Sequence, residues 1–205
     1  GFGMCTLYAN TTGAQNTGVG YQTLKANTCG HCNTAVGMYA LSPNTSGHCN
    51  TGVGWNAIGS NTTGSQNTGV GINAMAYNTT GGNNTALGMA ALHKNTTGGI
   101  NTAVGRCVMA NNTTGCQNVG VGAQTLQSIT TGCGNTASGY AAMLYVCGAA
   151  NFNTAHGFKA LQGTNNTTAS YNTAVGSCTL YTNTTGNKNT ATGYHSMRYN
   201  TTGQH

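Results

Sequence analysis

The chain has 205 residues, of which 37 are Thr, 33 Gly and 28 Asn, and it holds no Asp or Glu against six Lys and Arg. Without acids it supports neither paired-carboxylate glycoside hydrolysis nor a Ser-His-Asp triad, and no carboxylate cage for Ca²⁺ or Mg²⁺. The formal charge of +6 is scattered over single residues, whereas a nucleic-acid groove needs clustered cations, and no apolar run is long enough to insert into a membrane.

Residues 1–15 form a repeat unit that lacks its first two positions. From Asn16 the string Asn-Thr-(Ala/Gly)-Val-Gly returns, with small variations, at Asn33, Asn50, Asn67, Asn84, Asn101, Asn118 and Asn135. Each step is 17 residues; the next two are 18 and 19, to Asn153 and Asn172, and the last unit opens at Asn189. The longer steps fall in an irregular stretch, residues 146–171, and the array 1–205 reads as one domain of twelve units.

The unit is N-T-(A/G)-V-G-x-x-(A/T)-(L/M)-x-x-N-T-T-G-x-x. Position 5 is always Gly, from Gly3 to Gly193, and position 9 is Leu, Ile or Met, from Leu7 to Met197. Seventeen residues are too few for a pair of packed helices, and Gly with Asn in every unit disfavours helix. Short apolar pieces punctuated by Gly and Asn read as strands and corners. The expected fold is therefore all-β, a parallel β-solenoid with one unit per coil and coils about 4.8 Å apart, some 58 Å long for twelve coils at that spacing.

Three expectations follow for the coil. Gly at positions 5 and 15 takes φ > 0 at corners. Asn at positions 1 and 12 stacks on its equivalents, passing side-chain amide hydrogen bonds along the axis. Small residues at positions 3 and 8 let the walls approach, with positions 4 and 9 supplying the apolar core. Two medium apolar side chains per unit are a thin core against the entropy of ordering 17 residues, so the apolar rows are expected to be shared with other chains. In the irregular stretch the extra residues should bulge outward, and His156, which replaces Val at position 4, should sit inside as a ring between chains able to hold an anion or metal.

The N-T-A-V-G-x-x-A-L-x-x-N-T-T-G array resembles repeats of phage and giant-virus tail-fibre-like proteins and, more distantly, the S-V-A-I-G head repeats of trimeric autotransporter adhesins. The resemblance covers every unit. It implies a left-handed β-roll, three chains around one axis, and an attachment role at a host surface.

Motifs that look like chemistry fall on repeat positions. Cys29-Gly30-His31-Cys32 reads as a redox C-G-H-C but lacks the βαβ setting that motif needs. Gly52-Val53-Gly54-Trp55-Asn56-Ala57 matches a dinucleotide-binding pattern without its helix or acid. More pointed is the doubled Gly-His-Cys: stacking would bring His31 over His48 and Cys32 over Cys49. That is a ligand set for tetrahedral zinc, although adjacent residues diverge on a strand. Cys32–Cys49 and Cys116–Cys133 are candidate disulfides, because stacked coils meet the Cα spacing a bridge needs. Sequons occur at Asn10, Asn44, Asn61, Asn78, Asn95, Asn112, Asn166, Asn183 and Asn200, either as glycan acceptors or as the corner ladder. Tyr21, Tyr39, Trp55, Tyr140 and Tyr194 occupy variable positions where amphipathic rings can dock sugars or proteins.

The functional expectation is a non-enzymatic fibre or adhesin segment, extracellular or on a cell or virion surface, needing no cofactor. Its partners would be copies of itself and a host-surface glycan or protein. The copies would form a trimer or an end-to-end filament. An ice-binding solenoid is the competing reading, because rows of Thr on a flat uncharged sheet serve that purpose; paired Thr62 and Thr63, placed at a corner, count against it.

Overall fold

The computed structural model describes residues 1–164 and 167–204. Its strands all belong to one parallel sheet of eleven, three residues each, in strict sequence order from β1 (Thr17–Val19) to β11 (Thr190–Thr192). Each strand is positions 2 to 4 of one unit, and neighbours pair like with like: Thr17 with Thr34, Gly18 with Ala35, Val19 with Val36. The array is thus a β-solenoid with one repeat per coil.

Two asparagine ladders hold the coils in phase. At position 1, the Asn67 backbone N–H and Nδ2 both donate to Asn50 Oδ1, at 3.0 and 3.2 Å, and Nδ2 also donates to Gly81 O at 2.8 Å. Asn67 Oδ1 then accepts the same pair from Asn84, both at 3.1 Å. At position 12, Asn27, Asn44 and Asn61 each donate Nδ2 to the Oδ1 of the Asn one coil earlier, at 2.7 to 2.8 Å. Thr at position 13 adds a third rail, its hydroxyl donating to the Thr carbonyl of the next coil, as from Thr45 to Thr62 at 3.0 Å. These asparagines are fully buried, so every amide must find partners inside the coil.

The interior is filled by positions 3, 8 and 9. Ala35, Ala86 and Ala103 at position 3, Ala40 and Ala91 at position 8, and Leu24, Leu41, Ile58 and Met75 at position 9 are completely buried. Position 4 does not join them, which corrects the expectation from the sequence. Side chains alternate along a strand, and the inward place goes to position 3 because the opposite wall is too near for more than a methyl. Even a Cβ on Gly69 would come within 2.7 Å of Ile58 Cγ1. Val19, Val36 and Val70 therefore face solvent, 36–39% exposed. His156 shares that outward row and is exposed, not enclosed. One chain buries the position-9 row from Leu24 to Leu180 unaided, leaving only the end residues Leu7 and Met197 in part exposed, so that row supplies little reason for chains to associate side by side.

The two glycine positions serve different ends. At position 5 the backbone does take φ > 0, with Gly54 at 131° and a hypothetical Cβ 2.6 Å from Gly71 O. At position 15 φ is not positive. Glycine is required there because a Cβ on Gly64 would collide with Asn61 Oδ1 and Gly81 O, the atoms of the position-12 ladder.

Left-handed residues fall instead at positions 7, 9 and 17, almost none of them glycine: Gln22 (φ 53°), Leu24 (φ 50°) and Cys32 (φ 58°) in one coil. Ile58, β-branched, sits at φ 51°, a conformation costly for such a side chain. Burial of position 9 offsets the strain there; at position 7, half in solvent, less compensates it.

In the irregular stretch the strands stay in register, Thr136 opposite Thr154 and Thr154 opposite Thr173. Extra length is accommodated outward, as expected: Ala149 and Thr164 are exposed while Val146, Ala150 and Thr167 remain buried. The position-12 ladder stops here. Ile129 and Val146 take the Asn place, both buried, and Asn112 Oδ1 is left without a hydrogen-bond partner.

Two substitutions test this description. Ala90→Gly, at φ 55° on a half-buried position 7, should raise stability by about 0.5–1 kcal/mol in urea unfolding, against the usual cost of glycine. Asn67→Asp exchanges a donor for an acceptor facing Asn50 Oδ1 and Gly81 O, and should cost at least about 3 kcal/mol at neutral pH. Burial among oxygens raises the folded pKa of that carboxyl, so the folded state holds the proton that the unfolded state releases. Stability should fall as pH rises through that pKa and partly return on acidification; a loss independent of pH would contradict the ladder.

Candidate functional site

The feature that stands out is the outer face of the sheet. Register aligns position 2 as a row of Thr, from Thr17 and Thr34 to Thr190, broken once by Val119. Position 4 runs beside it as Val19, Val36, Val53, Val70, Leu87, Val104 and Val121. After the position-5 glycine turns the chain, position 6 adds a third outward row: Tyr21, Met38, Trp55, Ile72 and Met89, each 38–52% exposed. Rows 4 and 6 together make a continuous apolar strip from Val19 to Met89. It ends at Arg106, an exposed cation in row 6.

Beyond Arg106 the same rows change character. Row 4 carries Ser138 and His156, whose Oγ and Nδ1 lie 2.6 Å apart. Row 6 carries Tyr140 and Phe158, with rings stacked at 5.7 Å and 15° and Lys159 Nζ 5.3 Å from the Phe158 ring centre. No acidic side chain lies anywhere on the face, because the chain has none.

The residues proposed from sequence distribute as follows. Tyr21, Trp55, Tyr140 and Tyr194 all stand exposed in row 6, whereas Tyr39 is a position-7 residue, half-buried edge-on against Tyr21 at 5.6 Å. His31 and His48 do stack, at 5.3 Å and 10°. Their Nδ1 atoms accept backbone N–H groups one coil back, from Ala14 at 2.9 Å and His31 at 3.0 Å. Cys32 turns its thiol to Gln15 Oε1 at 3.0 Å, and Cys32 and Cys49 are separate exposed thiols, not a disulfide. The four do not converge, and among the described residues no three His or Cys come together as a metal site. Cys116 and Cys133, by contrast, are joined as a disulfide across adjacent coils, with Cα atoms 4.7 Å apart.

The sequons are corner structure. Asn44, Asn61, Asn78, Asn95, Asn112 and Asn183 are fully buried, and their Nδ2 atoms are hydrogen-bonded within the coil, which leaves no room for a glycan on the folded chain. Asn10 and Asn200 are half-buried with Nδ2 bonded to Gly13 O and Gly203 O. Asn166 lies outside the described residues.

Sequence reasoning missed a device at position 16. Its backbone N–H points along the axis and is met by whatever acceptor the next coil offers: His31 and His48, Ser65 Oγ (3.0 Å from His48 N), Asn151 Oδ1 (2.7 Å from Cys133 N), Ser170 Oγ (3.0 Å from Asn151 N). The signal was present as an excess of His, Ser, Cys and Asn there, read as free variation. It also explains the paired histidines without a metal. Comparison of the chain with protein-family models, curated proteins and solved structures finds no match to any of them.

Proposed function

We propose that the chain is a non-enzymatic rod segment of a surface fibre, in which three copies pack side by side through the outer sheet face and hold an attachment surface away from a cell or virion. The observation that carries this reading is the strip of rows 4 and 6. Ten apolar and aromatic side chains in unbroken register add up to several hundred Å², on the order of the ~800 Å² each partner gives to a stable interface. A patch of that extent on an isolated chain is unusual. With only six Lys and Arg spread over 205 residues, charge repulsion between parallel rods is weak.

Light scattering on the native particle tests it. The expected mass is three times 20.7 kDa; a folded particle of 20.7 kDa contradicts the reading, and a mass that climbs with concentration favours end-on filaments instead. Val53→Lys and Met38→Lys, both on the outer strip, should release monomers whose circular dichroism is unchanged.

A second reading rests on the Thr row. Position 2, not the corner pair Thr62 and Thr63, supplies hydroxyls to the flat face, so the corner placement of that pair no longer counts against ice binding. Thr51→Leu with Thr68→Leu would then abolish ice-growth inhibition by a monomeric particle, while a wild-type protein without that activity excludes the reading.

A further inference from the structure

On another side of the coil, positions 10 and 11 vary in height from coil to coil. Gly59 and Ser60 precede, and Ala110 and Asn111 follow, a short stretch where larger side chains stand up: Tyr77, His93 and Lys94. Together with Thr96 they line an open cleft of about 350 Å³, walled mainly by carbon. That is the low end of the range for small-molecule sites. Tyr77 is 54% exposed and meets the His93 ring edge-on at 5.0 Å, while the Tyr77 N–H donates to His93 O at 3.0 Å. The His93 Nδ1 lies 3.2 Å from Asn73 O. A carbonyl only accepts, so Nδ1 is the nitrogen that carries a proton, and in the tautomer this contact selects Nε2 is the acceptor. Lys94 is exposed, and no acidic side chain exists in the chain to pair with it.

We infer that this cleft is a binding site for a monosaccharide unit bearing a carboxylate. Each element of such a ligand has a counterpart. The apolar face of a pyranose ring packs on an exposed aromatic, a ring hydroxyl donates to His93 Nε2, and the carboxylate meets the Lys94 ammonium as a charge-assisted hydrogen bond. Because the chain lacks acids, a negative ligand approaching any side of the rod meets no side-chain repulsion. The site is distinct from the apolar strip, so it stays open when copies pack through rows 4 and 6. It gives the attachment role a ligand class, and rests on that reading for its purpose though not for its chemistry.

The test is a titration of the full chain, followed by NMR of the aromatic side chains, with glucuronic acid, glucose and acetate as three separate probes. Glucuronic acid should saturate at millimolar concentration and shift the Tyr77 and His93 ring signals while leaving Tyr194 unmoved. Glucose should bind about fivefold more weakly, the upper end for the contribution of an exposed ion pair, and acetate should not saturate. Lys94→Gln should erase the preference for the acid without weakening glucose, and Tyr77→Ala should abolish both; both positions are at the surface. Equal affinity for the two sugars, no saturation into the tens of millimolar, or shifts centred away from Tyr77 would overturn the site. Light scattering on the same sample separates the two proposals. A trimer that fails to bind overturns the cleft and leaves the fibre reading standing, whereas a monomer that binds overturns the fibre and upholds the cleft.

Discussion

A buried side-chain amide needs a donor and an acceptor at fixed places, and in this fold the acceptor comes from the equivalent Asn one coil before and the donor from the one after. That requirement governs the rest. Asn67 can satisfy its Oδ1 and Nδ2 only if Asn50 and Asn84 lie directly before and after it, so each coil must close in a length that returns Asn to its place. Most coils do so in 17 residues, and the longer ones must loop their surplus outward without disturbing Asn135, Asn153 and Asn172, which continue the ladder at 3.1–3.2 Å. Gly at position 15 follows from the same constraint, since any side chain there would strike the neighbouring ladder. Where Ile129 replaces Asn, the cost appears at once as the unpartnered Asn112 Oδ1.

A coil closed this tightly has little interior. Position 3 faces a wall that tolerates Ala or Gly, so the bulk that a conventional core would bury is displaced to rows 4 and 6 outside. Burial of Leu, Ile or Met at position 9 is the main apolar gain within one chain, at roughly 1.5–3 kcal/mol per residue, and it is partly offset by left-handed backbone at the same residues. Stability therefore rests on backbone ladders and amide stacks to an unusual degree, and the exposed strip is a large reserve of apolar area left for assembly. The proposed fibre is the use of that reserve.

Much of the architecture was legible. The spacing of Asn16, Asn33 and their successors dictates one coil per unit, and recurring Asn with Gly marks corners and ladders before any strand is assigned. The facing of position 4 was not legible, because in a three-residue strand alternation does not say which residue is inner. That is decided by how near the opposite wall comes, a tertiary distance. The same inversion moved His156 from interior to surface and shifted the case for association from position 9 to rows 4 and 6. Left-handed φ at Leu24 or Ile58 carried no signal, since nothing in a β-branched or long side chain announces it. Cys116 and Cys133 pair from position 16, whereas Cys32 and Cys49 stand at position 17 on left-handed backbone, where the Cys32 thiol bonds Gln15 instead. The Tyr77 cleft was hidden because it arises from three tall residues between short neighbours, a relief that shows only when coils are stacked.

The fold rests on side-chain amides forming buried ladders, unbroken at position 1 from Asn16 to Asn189 and running at position 12 as far as Asn112. Hydrogen exchange of the Asn Nδ2 protons, resolved by NMR, reads them directly. Asn50, Asn61, Asn67 and Asn78 should exchange orders of magnitude more slowly than Asn83, which is exposed at position 17 and should match a free amide. Exchange at the free rate from Asn61 and Asn67 in a chain whose strand amides are protected would contradict the account.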